Sequence, residues 1–332
     1  MMKLSSIFCD GMILQGNKPI RIFGEGDGYV CVKFMSYSAT VASSDGKWLV
    51  ELPPLPYGGP YTMEITLDGE TQVINDILIG DVLLLGGQSN MQFKLWESNY
   101  PKEQYEAFAD MRLFSPARLE DNEHFKPQDG WVKCTPESAA HWSAIGYLVG
   151  QQIHKEKGVA VGLVSCYQGA SEIQSWLPKD VLANNPKYNI PLEKRHWDHN
   201  SFPVWNKDAV LYEFAFKSLA PFSFSNVLWY QGESNATEAE SAVYSDMLTD
   251  MIKSWRADLK DPTLPFTVIQ IADSDERMCK GWINIQKAQS IVAQTNDNVT
   301  LIQSKDVCET DDIHPKSKTI LSKRIADSIL AK

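Results

Sequence analysis

A chain of 332 residues is long enough for one or two domains with a sizeable core. With 43% hydrophobic and 22% charged residues, its composition is that of an ordinary folded globular protein and not of a disordered one. Its 42 acidic against 31 basic side chains leave a formal net charge of -11, which repels phosphate backbones and anionic membranes and argues against nucleic-acid or membrane partners.

The first residues, MMKLSSIFCDGMILQG, break their apolar stretch with Ser, Asp and Gly, unlike a signal peptide. No later run approaches membrane-spanning length, so a cytoplasmic protein is expected, although a chain shortened at its start would look the same. Short strands are predicted at Pro19 to Phe23, Gly28 to Phe34, Lys47 to Leu52 and Tyr61 to Leu67, separated by GEGDG, SSDG, PPLPYGGP and LDGE. Strands spaced this closely suggest a small β-sandwich over residues 1–75. Its aromatic residues Phe34, Tyr37, Trp48 and Tyr61 read as core and rim before they read as a sugar platform. The six cysteines, at 9, 31, 134, 166, 279 and 308, include no Cys-x-x-Cys pair, and a chain of this size needs no disulfide scaffold.

Over residues 76–332 the pattern changes. Fully apolar runs at Ile77 to Leu85, Val159 to Cys166, Asn226 to Tyr230, Phe266 to Ile271 and Val299 to Ile302 alternate with helical patterns. The clearest of these places Tyr244, Met247, Leu248, Met251, Ile252, Trp255 and Leu259 on one helix face. Such alternation predicts an α/β fold, a parallel sheet covered on both faces, with its chemistry at the carboxyl ends of the strands.

Four of those ends carry reactive side chains. DVLLL runs into Gly86-Gly87-Gln88-Ser89-Asn90-Met91, where two glycines permit a sharp turn and expose the Ser89 hydroxyl; alone, the segment is equally a plain turn. It is not the Gly-x-Ser-x-Gly elbow. VGLVSCY ends in Gln168-Gly169-Ala170-Ser171, where the Gly169 N–H can approach a ligand as an oxyanion hole requires. NVLWY ends in Gln231-Gly232-Glu233-Ser234-Asn235, where the Gln231 amide can face an oxyanion and Glu233 can brace the loops, roles compatible with Ser234 or Asn235 also capping a helix. VTLIQ is followed by Thr310-Asp311-Asp312-Ile313-His314-Pro315 and then Lys318. Asp311 or, with another loop shape, Asp312 can hold the imidazole of His314 so that its Nε2 takes a serine proton. A metal site lacks further ligands at suitable spacing.

Taken together, GGQSNM, the Gly169 loop with Trp176, WYQGESNA and DDIHP resemble the conserved blocks of the sialate O-acetylesterase family, a branch of the SGNH hydrolases related to acetylxylan esterases. The resemblance covers nearly the whole chain. IFCDGMILQGNKPIRIFGEGDG is similar to the family's opening β segment, WSAIGYLVGQQI to its FSAxGYxF helix, and SWRADLKDPTLPFTVIQIAD to its WR…LPF…Q segment.

That resemblance implies a flavodoxin-like α/β/α sandwich and a serine esterase that removes O-acetyl groups from carbohydrates, sialic acid or other glycans, with no cofactor and no metal. It assigns Ser89 as nucleophile and His314 as base. The oxyanion hole would be the N–H groups of Ser89 and Gly169 with the Gln231 side chain. Gln88, Asn90, Glu233 and Trp176 would support the site or line the sugar pocket. Three departures from the family pattern, Gly86, the LYEFAF stretch at 211–216 and Asn226, are expected to shape that pocket. Some members work with a Ser–His pair alone. An esterase of broader acyl specificity and a non-catalytic carbohydrate-binding protein are the competing expectations, and nothing in the sequence speaks to oligomeric state.

Overall fold

The strand that reads DVLLL is the end of a much longer one. The structure, a computed structural model, describes residues 2–116, 130–197 and 203–331. Its strands are β1 (Lys3–Leu4), β2 (Ile13–Gln15), β3 (Ile20–Glu25), β4 (Tyr29–Phe34), β5 (Tyr37–Ala42), β6 (Lys47–Leu52), β7 (Gly58–Leu67), β8 (Glu70–Gly87), β9 (Phe108–Phe114), β10 (Trp131–Cys134), β11 (Val161–Tyr167), β12 (Asn226–Tyr230), β13 (Phe266–Ile269) and β14 (Val299–Ile302). The helices are α1 (Ser89–Gln92), α2 (Pro136–Ala140), α3 (Ala144–Lys157), α4 (Lys179–Asn184), α5 (Glu238–Ser241), α6 (Tyr244–Asp258), α7 (Lys280–Thr295) and α8 (Thr319–Leu330), with short 3-10 turns between them.

The main sheet runs β10-β9-β11-β8-β12-β13-β14 and is parallel except for β10. Within it the order β11-β8-β12-β13-β14 is that of doubly wound sheets, which bind ligands beyond the strand ends where the order reverses. That point is the end of β8. Its neighbours are level with it: Gly87 pairs with Tyr167 of β11 and with Tyr230 of β12. Three loops therefore leave the sheet side by side, headed by Gln88, Gln168 and Gln231.

The helices pack as two separate pairs, α3 with α8 and α6 with α7. The α6 residues predicted to face inward, Tyr244, Met247, Leu248, Met251, Ile252 and Trp255, are all buried. Ser143 caps α3 by accepting the Gly146 N–H, and Gly158 ends it in the left-handed conformation. Strands β11 and β12 are buried at every residue, as a sheet covered on both faces requires.

The N-terminal strands form a three-stranded sheet, β1-β3-β6, and a second group in which β4 pairs with β5 and β7. Phe34 and Trp48 are core residues, Tyr61 packs edge-on against Phe34, and Tyr37 is exposed. The first half of β8 pairs with β7 and β2, and its second half with β11 and β12. The division expected between residues 75 and 76 thus falls inside one strand, and the buried residues on both sides of it belong to one continuous core. None of the six cysteines forms a disulfide. Among the described residues no helix is long and apolar enough to cross a membrane.

Candidate active site

At the end of β8 the backbone turns at Gly87, whose φ of 129° is closed to other residues; a Cβ there would lie 2.1 Å from the Tyr230 carbonyl oxygen. Gln88 follows in extended conformation, and its N–H donates to that same Tyr230 oxygen at 2.9 Å. Ser89 then opens α1. From the last strand's loop, more than two hundred residues away, the His314 Nε2 comes to 2.7 Å of the Ser89 Oγ. The ring of His314 stacks on Phe93, one turn beyond Ser89, with centroids 6.2 Å apart. Burial pushes its pKa below the ordinary 6.5; Asp312 works against that shift and Lys318 adds to it. The imidazole therefore stands neutral at pH 7, placed to take the serine proton.

Of the two carboxylates offered as its partner, Asp312 is the one near it. The Asp312 Oδ1 accepts the His314 backbone N–H at 2.8 Å and lies 3.9 Å from Nδ1, beyond hydrogen-bond length. Asp311, the first expectation, is exposed and makes no hydrogen bond or ion pair with His314; it is the Asp312 side chain that turns back, onto the His314 backbone N–H.

Beneath this pair lies a buried polar brace. The Asn90 amide donates to Glu233 Oε1 at 2.7 Å and to the Ile313 carbonyl at 2.9 Å, and its oxygen accepts from the Lys318 ammonium at 2.8 Å. Lys318 is fully buried between the rings of Phe93 and Tyr230, and burial lowers its pKa to about 8. Burial raises the Glu233 carboxyl, while its bond from Asn90 opposes the shift. One amide thus ties the serine helix, the β12 loop and the histidine loop together.

The expected oxyanion hole is only partly in place. The Ser89 N–H makes no hydrogen bond among the described residues. The Gly169 N–H faces the same space but donates to Gln92 Oε1 at 2.7 Å. Gln231 departs from expectation. Its side chain is wholly buried, donating to the Ser171 carbonyl at 3.0 Å and to Asn235 Oδ1 at 2.7 Å, while its oxygen accepts from Tyr244 at 2.7 Å. Both amide hydrogens are spent in the core. Trp176 likewise is no pocket residue: it is fully buried, bonds Ser171 Oγ at 3.0 Å and packs edge-on against Trp229 and Trp255.

Ser89 and His314 open into a cavity of about 1000 Å³. Gln88, Gln92, Gly169 and Glu233 line its floor, and His196, Trp197, Trp205, Arg277, Met278 and Trp282 its walls. The His196–Trp197 wall is held by bonds from the His196 N–H to Glu240 and from the Trp197 indole to the Ala170 carbonyl. Behind it, Arg195 pairs with buried Glu172, whose pKa is raised to about 7 by burial and by nearby Glu240, against the pull of Arg195. The family departures lie elsewhere. Gly86 backs onto Trp229, Asn226 accepts a bond from Thr267, and Phe216 stacks on Trp255, so none of the three lines the cavity. The sequence reading did not single out Gln92 or Arg277. Gln92, three residues after Ser89 on the same helix, carried a spacing signal, whereas Arg277 lies in a loop without one.

The profile of the carbohydrate esterase family described as sialic acid-specific acetylesterase matches residues 79–331, from within β8 to the end of α8. The chain belongs to this family. It is 24% identical to human sialate O-acetylesterase over 328 residues, 88% of this chain and 61% of the human protein. It is 25% identical to the rat sialate O-acetylesterase over 351 residues, again 88% of this chain and 64% of the relative. The chain therefore spans less than two thirds of the length of these relatives. Among solved structures, a carbohydrate acetylesterase from Xanthomonas citri superposes with a TM-score of 0.82 at 28% identity, over 98% of this chain and 74% of that one. Family membership gives the matched segment a context. Its chemistry rests on the groups around Ser89.

Proposed function

We propose that this protein is a serine esterase that removes O-acetyl groups from carbohydrates through an acetyl-serine intermediate. The observation that carries the reading is the 2.7 Å approach of His314 Nε2 to Ser89 Oγ at the floor of a cavity far larger than an acetyl group. His314 takes the hydroxyl proton as Oγ attacks the acetyl carbonyl carbon, and the negative charge moves to the carbonyl oxygen. The Ser89 and Gly169 N–H groups receive that oxyanion, the latter once the Gln92 amide has swung aside. Collapse breaks the bond to the sugar oxygen, which leaves with the proton from His314. Water, deprotonated by His314 in turn, attacks the acetyl-serine and releases acetate. Asp312, half-exposed and 3.9 Å from the ring, supplies weak electrostatic support, so the Ser–His pair bears the proton transfers.

A carboxylate-bearing sugar such as an acetylated sialic acid is the favoured substrate. Among the described residues, Arg277 is the one arginine whose guanidinium makes no hydrogen bond or ion pair, and it lines this cavity in a protein of net charge -11. The aromatic wall offers apolar surface to a sugar ring.

Acetate release from O-acetylated sialic acid, acetylated xylo-oligosaccharides and longer-chain esters, with Ser89→Ala as control, tests both parts. Wild-type turnover of 4-nitrophenyl acetate by Ser89→Ala would remove the nucleophile assignment. Equal kcat/KM on acidic and neutral sugar esters, unchanged in Arg277→Gln, would remove the acidic-sugar preference.

A further inference from the structure

With the Gln231 amide committed to the core, the oxyanion needs another side-chain donor, and a second glutamine stands beside the nucleophile. Gln88 is 3% exposed and lines the same cavity as Ser89 and Gly169. Its Oε1 accepts two backbone N–H groups of the β12 loop, Gly232 at 3.4 Å and Ser234 at 3.2 Å. Two N–H donors can face only the oxygen of a primary amide, so the orientation of the group is fixed and its NH2 lies on the other side. Among the described residues that NH2 has no acceptor, nor is it one of the sealed polar atoms of the core; what little surface Gln88 exposes lies in the cavity.

We propose that the Gln88 side-chain NH2 is the third donor of the oxyanion hole, completing the set begun by the Ser89 and Gly169 N–H groups. The inference rests on the esterase reading above. An amide NH2 that is almost wholly buried and left without an acceptor is costly in the resting protein, and a carbonyl oxygen acquiring negative charge repays that cost in the transition state. The group is also rigid, since Gln88 is tethered to the end of β12 through its backbone N–H as well as its side-chain oxygen. A donor held before the charge develops needs no reorganisation when it does.

The chemistry provides a variant that separates catalysis from anchoring. Gln88→Glu keeps an oxygen for the Gly232 and Ser234 N–H groups but replaces the donor NH2 by a second oxygen. At pH 8 this variant should remain folded, at some cost in urea midpoint for the buried carboxylate, and lose about 10²–10³ in kcat per folded molecule on 4-nitrophenyl acetate, with KM within about threefold. Gln88→Met, which lacks both functions, should show the same kcat loss per folded molecule together with lower stability. Gln231→Leu should be destabilised with kcat per folded molecule near wild type. A folded Gln88→Glu protein with kcat within about fivefold of wild type overturns the proposal, as does a loss in Gln88→Met that merely follows its folded fraction. The esterase reading fails on a different result, namely wild-type hydrolysis that survives Ser89→Ala.

Discussion

Asn90→Ala removes one side chain and strands three partners. In the wild-type protein its amide serves Glu233 at 2.7 Å, the Ile313 carbonyl at 2.9 Å and Lys318 at 2.8 Å. Two of these partners are ionisable and fully or nearly fully buried, and among the described residues Glu233 Oε2 already has no hydrogen bond, so the alanine would remove the one side-chain donor of its carboxyl. Taking about 1.5–3 kcal/mol for each bond to an ionisable group and about 0.5–1.5 kcal/mol for the neutral one, the loss is about 3.5–7.5 kcal/mol. That is a large share of the roughly 5–15 kcal/mol that holds a typical domain. Urea unfolding at pH 7, followed by tryptophan fluorescence, measures it. Turnover should fall further than the folded fraction does, by at least about tenfold, because the Ile313 tether adjoins His314 and small displacements of a catalytic base are costly. A destabilisation below about 1 kcal/mol with kcat within twofold of wild type would mean that the brace neither holds the loops nor positions the base.

Three further outcomes are expected. The acid limb of kcat/KM should have its midpoint below pH 6.5, because catalysis needs the neutral imidazole and burial lowers the pKa of His314; activity is present above that midpoint and lost as the pH falls through it, and a midpoint above 7 would contradict this. Asp312→Asn should cost less than about tenfold in kcat, and Asp311→Asn nothing measurable, in parallel steady-state assays; a loss near 10⁴, as when a tightly bonded triad aspartate is removed, would reinstate a full triad. Gln92→Ala frees the Gly169 N–H from its resident acceptor and should raise kcat/KM by about twofold to tenfold, the worth of one neutral hydrogen bond, whereas a decrease would show that Gln92 assists the reaction.

How much of this could be read from the sequence depended on what each signal measures. Strand β12 was expected at Asn226 to Tyr230 and lies there, and the inward face of α6 was legible residue by residue, because burial on both faces or on one stripe writes itself into apolar periodicity. Strand β9 was not anticipated. Its Asp110 and Arg112 disguise it, and Arg112 can be buried only because the Gly11 and Asp76 carbonyls and the Asp76 carboxylate receive its guanidinium. At the site, the chemistry-bearing residues were legible because they follow the carboxyl ends of the parallel strands; the loop after β14 then carries His314 across β13 and β12 to Ser89. The direction of a side chain is a different quantity. Gln231 and Trp176 stand in the expected loops yet point into the core, drawn there by Ser171, Asn235 and Tyr244, whose contacts no local pattern announces. The choice between Asp311 and Asp312 turned on a single residue of loop geometry.

The 18-residue strand that ends beside Ser89 begins among the N-terminal strands, bonded to β7 and β2 before it enters the parallel sheet. The chain therefore has no seam at which its front portion could be exchanged like a cassette. A cut through the shared strand would unravel the very ribbon from which the Ser89 hydroxyl is hung.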